Sequence, residues 1–330
     1  MNGRILVLNC HEAWIDQLRL LDQPLDIVVG LPGRHTLQWD ATSRPVPPQA
    51  RLISLPEALG VRVPYDCILA HNLSDLLDTR SLSGPRLLII HLTLEGMIVE
   101  QKATVPAAEY RRAVAQYTES ICAHVVAVSS LKGKSWGFPN LVVPLTANPT
   151  EYLPWTGELA RGLRVSSFIL RRARTLRWEF HQRAFAGIPV SLVGHNPEFP
   201  GVRASSNWVE LKQILSRHRF FIHTAEPGLE DGYNMATLEA MAAGLPVLGN
   251  LHPSSPIIQG VNGLLSDDPA ELNLFARGLL ADRGLAGEMG RAAQRTVRDQ
   301  FSGAAFREGM LQAIQVARGK WQRSQTVVLA

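Results

Sequence analysis

The run Asp231-Gly232-Tyr233-Asn234-Met235-Ala236-Thr237-Leu238-Glu239-Ala240-Met241-Ala242-Ala243-Gly244-Leu245-Pro246-Val247 carries its own punctuation. Asn234 is a good N-cap for a helix over 234–243. Gly244 suits the left-handed position just past the helix end, and Pro246 prevents the helix resuming. An apolar strand at 220–223 and a Gly/Pro loop at 224–233 lead in; a strand at 246–249 leads out. The helix is almost wholly apolar and is expected to be buried, yet Glu239 sits in its middle. A buried carboxylate needs a partner or an exit to a cleft. The amino end of the helix offers N–H groups and a positive dipole end, which suits phosphate. Glu239 therefore either pairs with a buried Arg or reaches hydroxyls of a ligand whose anionic part lies at the helix start. A ribose diphosphate would satisfy the second arrangement.

Outward from this run the same alternation continues. Upstream, strands are expected at 5–9, 26–30, 51–55, 67–70, 87–91 and 124–129, with a helical pattern at 107–122. A second series has strands at 165–170 and 189–194 and helices at 176–186 and 208–216, before the strand at 220–223. Strands alternating with helices imply mostly parallel sheets covered on both faces. The stretch 144–155 holds three prolines and reads as a linker. The expected division is an α/β domain over 1–150, a second over 151–305, and a closing helix over 306–330. The rival arrangement is one large sheet split by an insertion. Open parallel sheets bind ligands beyond the carboxyl ends of their strands, so two in tandem would face a ligand into the cleft between them.

The quoted run resembles the signature of retaining glycosyltransferase family 4: an acidic residue, seven others and a Glu, then Ala-Met-Ala, a small residue, Gly and Pro. Gly260-Val261-Asn262-Gly263-Leu264-Leu265 is similar to that family's Gly-x-Asn-Gly-Leu element. Met289-Gly290-Arg291-Ala292-Ala293 through Phe301-Ser302 is similar to its ending, and the likeness spans roughly 163–305. The resemblance implies a GT-B fold, two Rossmann-like α/β domains with parallel sheets facing a central cleft, and a donor site in the second. It implies a retaining, metal-independent glycosyltransferase using a nucleotide-diphosphate sugar of UDP or GDP type, with no cofactor and no bound metal. Glu239 would bond the donor ribose and Asp231 the hydroxyls of the transferred sugar, with Glu230 the alternative first acid. Gly232 and the backbone N–H groups of Asn234, Met235 and Ala236 would lie against the sugar and diphosphate. Arg172 and Arg177 have the five-residue spacing of the family's basic pair. They would balance charge developing on the leaving diphosphate, as a metal does elsewhere. His91, ending the strand at 87–91, resembles the family's active-site His, and His71 has a similar position after the preceding strand. The closing helix would cross back to the first domain.

This chain departs from the family in three places. Asp231 is one methylene shorter than the usual Glu, and Asn234 replaces a common Gly. Cys10-His11-Glu12-Ala13-Trp14 stands where members often carry a Gly pair. His11 and Glu12 either contact the acceptor or cap the next helix. A nucleotide-sugar epimerase on the same architecture, or a nucleotide-sugar-binding protein without catalysis, are the competing functions.

The rest of the composition bounds these expectations. A formal net charge of +4 is a modest bias, open to an anionic ligand or surface without naming one. The three cysteines, Cys10, Cys67 and Cys122, are expected to be small core residues of a reducing compartment, and no His/Cys set has zinc spacing. Walker and dinucleotide Gly-rich loops are absent. Asp267-Asp268 precedes Pro269 and reads as the carboxylates of a helix start. There is no signal-peptide core and no apolar run near 20 residues, so a cytoplasmic protein is expected. The basic amphipathic pattern at 309–323 suits either peripheral contact with an anionic membrane or the crossing-back helix. The acceptor is open: a glycan, lipid, protein or modified nucleic acid.

Overall fold

The computed structural model describes residues 3–33, 37–139 and 142–328. The chain divides into two compact units. One comprises Met1–Leu94, Thr104–Leu145 and Gly303–Ala330; the other comprises Glu95–Ala103 and Thr146–Ser302.

The first unit is built on six strands: β1 (Ile5–Leu8), β2 (Leu25–Val29), β3 (Ala50–Ser54), β4 (Cys67–Ala70), β5 (Arg86–Ile90) and β6 (His124–Ala127). They lie in the order β3-β2-β1-β4-β5-β6, every neighbouring pair parallel. Every residue of β1, β4, β5 and β6 is buried, as strands covered on both faces require. Asp26 on β2 is buried and stitches the first three strands: it accepts from Arg4 Nε at 2.5 Å and from Arg51 Nε and Nη2 at 2.7 and 2.8 Å. Although burial works against its charge, these hydrogen bonds hold its carboxyl below the ordinary range. The closing helix runs Gly303–Val328 and packs on β4, β5 and β6, and its Phe306, Met310, Ala313, Ile314 and Ala317 are all buried. Arg318 donates to the Asp66 carbonyl at 3.1 Å, and Lys320 to the Ala123 carbonyl at 3.1 Å, which fix its far end.

The second unit has five strands: β7 (Leu159–Val165), β8 (Val190–Val193), β9 (His218–His223), β10 (Val247–Gly249) and β11 (Gly263–Leu265). Their order is β11-β10-β9-β7-β8, again parallel throughout. Two complete parallel sheets exclude the single interrupted sheet.

The strand expected at 165–170 is corrected: β7 starts at Leu159 and ends at Val165. From Ser166 the chain turns away, with Phe168 left-handed at φ 55°. Asn196 clamps the turn, accepting from Ile169 N at 2.9 Å and donating to Ser166 O at 2.7 Å. The following helix is likewise shorter than expected, Trp178–Ala184. Asp268 caps the helix Pro269–Ala281 by accepting from Ala270 N, as a helix-start carboxylate should. Among the described residues no helix is long and apolar enough to cross a membrane.

Candidate active site

In the second sheet β7 lies between β8 and β9, so strand order reverses at β7. The carboxyl ends of the strands at such a reversal are the usual ligand position of an open parallel sheet. The loops after β7 and β9 both carry expected site residues. Arg172, after β7, donates from Nε to Glu100 Oε1 at 2.9 Å and from Nη2 to Glu230 Oε2 at 3.3 Å. Burial opposes the guanidinium charge, but Glu100 and Glu230 outweigh it and hold the group above its ordinary value. Arg177 is placed differently. It is the left-handed residue that opens Trp178–Ala184, at φ 46°. Its Nη1 reaches Asp267 Oδ1 at 2.8 Å, its Nε lies 3.4 Å from Glu226, and its guanidinium covers Phe180 at 4.7 Å from the ring centre. Both carboxylates are well exposed, so these pairs contribute little and exchange readily for another anion.

The loop after β9 is held from several directions. Asp231 is 1% exposed, and its Oδ1 accepts from Ser254 Oγ at 3.1 Å, while Ser254 Oγ accepts from Gly232 N at 2.9 Å. Glu230 turns back to accept from Asp231 N at 2.9 Å while also meeting Arg172. The two acids thus divide: Glu230 carries the arginine, and Asp231 faces the loop after β10. His223 Nε2 donates to the Asp231 carbonyl at 3.1 Å; burial pulls this imidazole down to about 4, so it is neutral near pH 7. His252, in the loop after β10, packs on Gly232, where a Cβ would come within 2.8 Å of it. Its Nδ1 accepts from Ser254 N at 3.2 Å.

The helix runs Met235–Ala242, with Asn234 as N-cap. Asn234 Oδ1 accepts from Thr237 N at 2.9 Å and from Thr237 Oγ1 at 3.0 Å, so the side chain is turned onto its own helix. Residues 237–242 are all buried, and Glu239 is only 5% exposed among them. Asn262, of the Gly-x-Asn-Gly-Leu element, acts structurally, accepting from Ile258 N at 2.7 Å and donating to Thr296 Oγ1 at 2.9 Å.

Sequence reasoning missed Arg164 and His252. Arg164, on β7 and 2% exposed, donates to Thr224 Oγ1 at 2.7 Å and to Leu176 O at 3.3 Å, tying the loops after β7 and β9 together. Burial, with Arg172 nearby, pulls its guanidinium down to about 9. The signal for His252 was its place just past the carboxyl end of a strand; Arg164, the penultimate residue of β7, fell just ahead of the strand expected at 165–170 and so gave none.

In the first unit strand order reverses at β1, which lies between β2 and β4. His71 follows β4 and His91 follows β5, and His71 Nδ1 lies 2.8 Å from His91 Nε2. Trp14 meets both imidazoles edge-on with ring centres 5.0 Å apart. Burial, then His71, Lys132 and His11, push His91 well below the ordinary histidine value. Cys10 closes the group, with one donor atom from each of Cys10, His71 and His91 lying within 4.8 Å of one another. Cys10 and Cys122 are half-buried, unlike the fully buried Cys67, which corrects the expectation of three core cysteines. Glu12 accepts from Asn9 Nδ2 at 3.0 Å and Asp40 N at 3.2 Å and so braces the loop after β1. His11 occupies an N-cap position without a side-chain cap bond.

Residues 190–282 match the family model described as glycosyl transferases group 1. No curated protein sequence matches the chain. The fold is similar to that of Anabaena HepE in complex with UDP-glucose, at TM-score 0.66 and 14% identity over 94% of this chain and 99% of that one. Sucrose-phosphate synthase from Thermosynechococcus elongatus superposes at TM-score 0.63 and 14% identity, over 95% and 98% of the two chains. WaaG, a glycosyltransferase involved in lipopolysaccharide biosynthesis, superposes at 0.59 and 12% identity, over 94% and 99%. The chain therefore has the two-sheet α/β fold of GT-B glycosyltransferases, and its residues 190–282 are similar to a glycosyltransferase family model.

Proposed function

We propose that the protein is a retaining, metal-independent glycosyltransferase that takes a sugar from a nucleoside diphosphate of UDP or GDP type. The observation that supports this best is the assembly at the reversal point of the second sheet. There Arg172, Asp231 and the capped start of Met235–Ala242 come from loops that Arg164 ties together. The UDP-glucose bound by the similar Anabaena protein is consistent with such a donor. The diphosphate lies at the helix start, Glu239 takes the ribose hydroxyls, and Asp231 takes hydroxyls of the transferred sugar. As the glycosidic bond breaks, negative charge gathers on the leaving diphosphate. Arg172 stabilises it and Arg177 adds a second cation once its exposed acids are displaced. The acceptor hydroxyl attacks from the face the diphosphate leaves and gives its proton to the departing diphosphate oxygen, which retains configuration. His91 is assigned to the reacting sugar by the family resemblance. Cysteines that form no disulfide with one another fit a reducing, cytoplasmic setting.

The test is calorimetric titration of UDP- and GDP-sugars into the protein, alongside thermal shift. A donor at a hundredfold excess over its Kd raises stability by about 2.7 kcal/mol. Glu239→Ala is expected to abolish binding of whichever donor the wild type selects; unchanged affinity would sink the assignment. A second function, donor binding without catalysis, is favoured by the two carboxylates already on Arg172. It is chosen if donor binds yet neither transfer nor slow hydrolysis occurs. Release of free epimerised donor would indicate an epimerase.

A further inference from the structure

We propose that Cys10, His71 and His91 form a binding site for one thiophilic cation, with Zn2+ as the fitting ion. The three residues follow the carboxyl ends of β1, β4 and β5, where strand order reverses, and each places one donor atom within 4.8 Å of the others. The framework under them is firm. His71 N donates to Asp75 Oδ2 at 2.7 Å, and Trp14 wedges edge-on against both rings, itself backed by Phe306 at 6.1 Å. One thiolate and two imidazoles are a soft set that selects zinc over magnesium or calcium and leaves a fourth position for water or a ligand oxygen.

The present geometry is that of the proton-bridged pair. With Zn–N near 2.0–2.1 Å and Zn–S near 2.3 Å, tetrahedral ligand atoms stand about 3.3–3.6 Å apart. The imidazoles, now 2.8 Å apart, open by roughly half an ångström and the sulfur moves in. On binding, the proton between the rings moves to the outer nitrogen of the imidazole that carries it. Both facing lone pairs then go to the metal. The Cys10 thiol loses its proton to solvent as the metal–sulfur bond forms, so one proton is released per ion. Lys132 nearby opposes a cation, and the thiolate offsets its charge.

Metal binding stands apart from the donor-site proposal. Its consequence, inhibition of transfer through capture of His91, rests on that proposal. The full-length protein is titrated with Co2+ and the visible spectrum followed. Zn2+ is then titrated by calorimetry in two buffers of different ionisation heat. The expected result is one equivalent bound, a tetrahedral cobalt spectrum with a thiolate charge-transfer band, and one proton released. Cys10→Ser, at a half-buried position, removes that band and weakens Zn2+ at least about tenfold. His71→Ala weakens it similarly, with circular dichroism checking that both variants fold. No one-equivalent binding, a six-coordinate cobalt spectrum, or unchanged affinity in folded Cys10→Ser would each overturn the site. Failure of the donor assignment leaves these spectroscopic readouts unaffected, so the two proposals fall separately.

Discussion

Gly290 lies with its Cα directly against the carbonyl oxygen of Gly244, where a Cβ at 290 would overlap that oxygen. Gly290 belongs to the helix Arg283–Gln300, which packs on Met235–Ala242; Ala240, Ala242 and Ala293 on these helices are all buried. Gln294 Nε2 donates to Ala242 O at 3.1 Å and satisfies a carbonyl at the end of the shorter helix. Gly290→Ala must push the two helices apart. Overpacking of this kind is expected to lose about 3 kcal/mol in urea unfolding and to weaken donor binding. A Cm equal to wild type would show that the helices separate freely.

Arg172 is the basic residue whose loss is expected to matter most. Arg172→Ala should lower kcat by about a hundredfold, the scale of removing one stabilising donor to a developing anion. Arg177→Ala should lower it less, because its partners are exposed and solvent can take its place. Initial rates with saturating donor check the order; a larger effect at Arg177 would reverse the assignment.

Asn234 holds its helix start through Thr237. Asn234→Ala is expected to cost about 1 kcal/mol of stability and Asn234→Gly only a few tenths. Thermal denaturation of the three proteins checks the ranking. Equal losses in both variants would mean the cap contributes nothing.

Buried neutral histidines make the protein acid-sensitive. His223 and His124 are each pulled down to about 4, and His181 well below its ordinary value, by burial first in every case. The unfolded chain binds protons on these groups near pH 6.5, while the folded protein does not until about pH 4. Stability is therefore full above pH 6.5 and falls as pH drops toward 4, by up to about 1.4 kcal/mol per pH unit per histidine. Urea titrations between pH 7 and 4.5 measure the slope, and His223→Gln should flatten it. An unchanged slope in that variant would assign the protons elsewhere.

Much of the architecture was legible because its signals are local. The helix at 234–243 announced itself through Asn234, Gly244 and Pro246, and the structure places Met235–Ala242 there with Asn234 capping and Gly244 left-handed at φ 87°. The apolar runs at 5–9, 67–70 and 87–91 marked β1, β4 and β5 because strands covered on both faces must be continuously apolar. The run at 165–170 misled for the same reason. Phe168, Ile169 and Leu170 are as apolar as a strand, but the left-handed Phe168 and the Asn196 clamp bend them into a turn.

The sequence alone determined two successive parallel α/β series and the helix of the second that carries Glu239, since capping, periodicity and breakers act between residues a few positions apart. Tertiary structure decided which side chains meet. Arg172 finds Glu100 across 72 positions and Glu230 across 58, and Arg164 finds Thr224 across 60. Cys10, His71 and His91 show no metal-ligand spacing along the chain, yet their strands are neighbours because β4 pairs with both β1 and β5. Strand order is set by how two whole faces of a sheet are covered, a property of the packed unit that no local stretch contains.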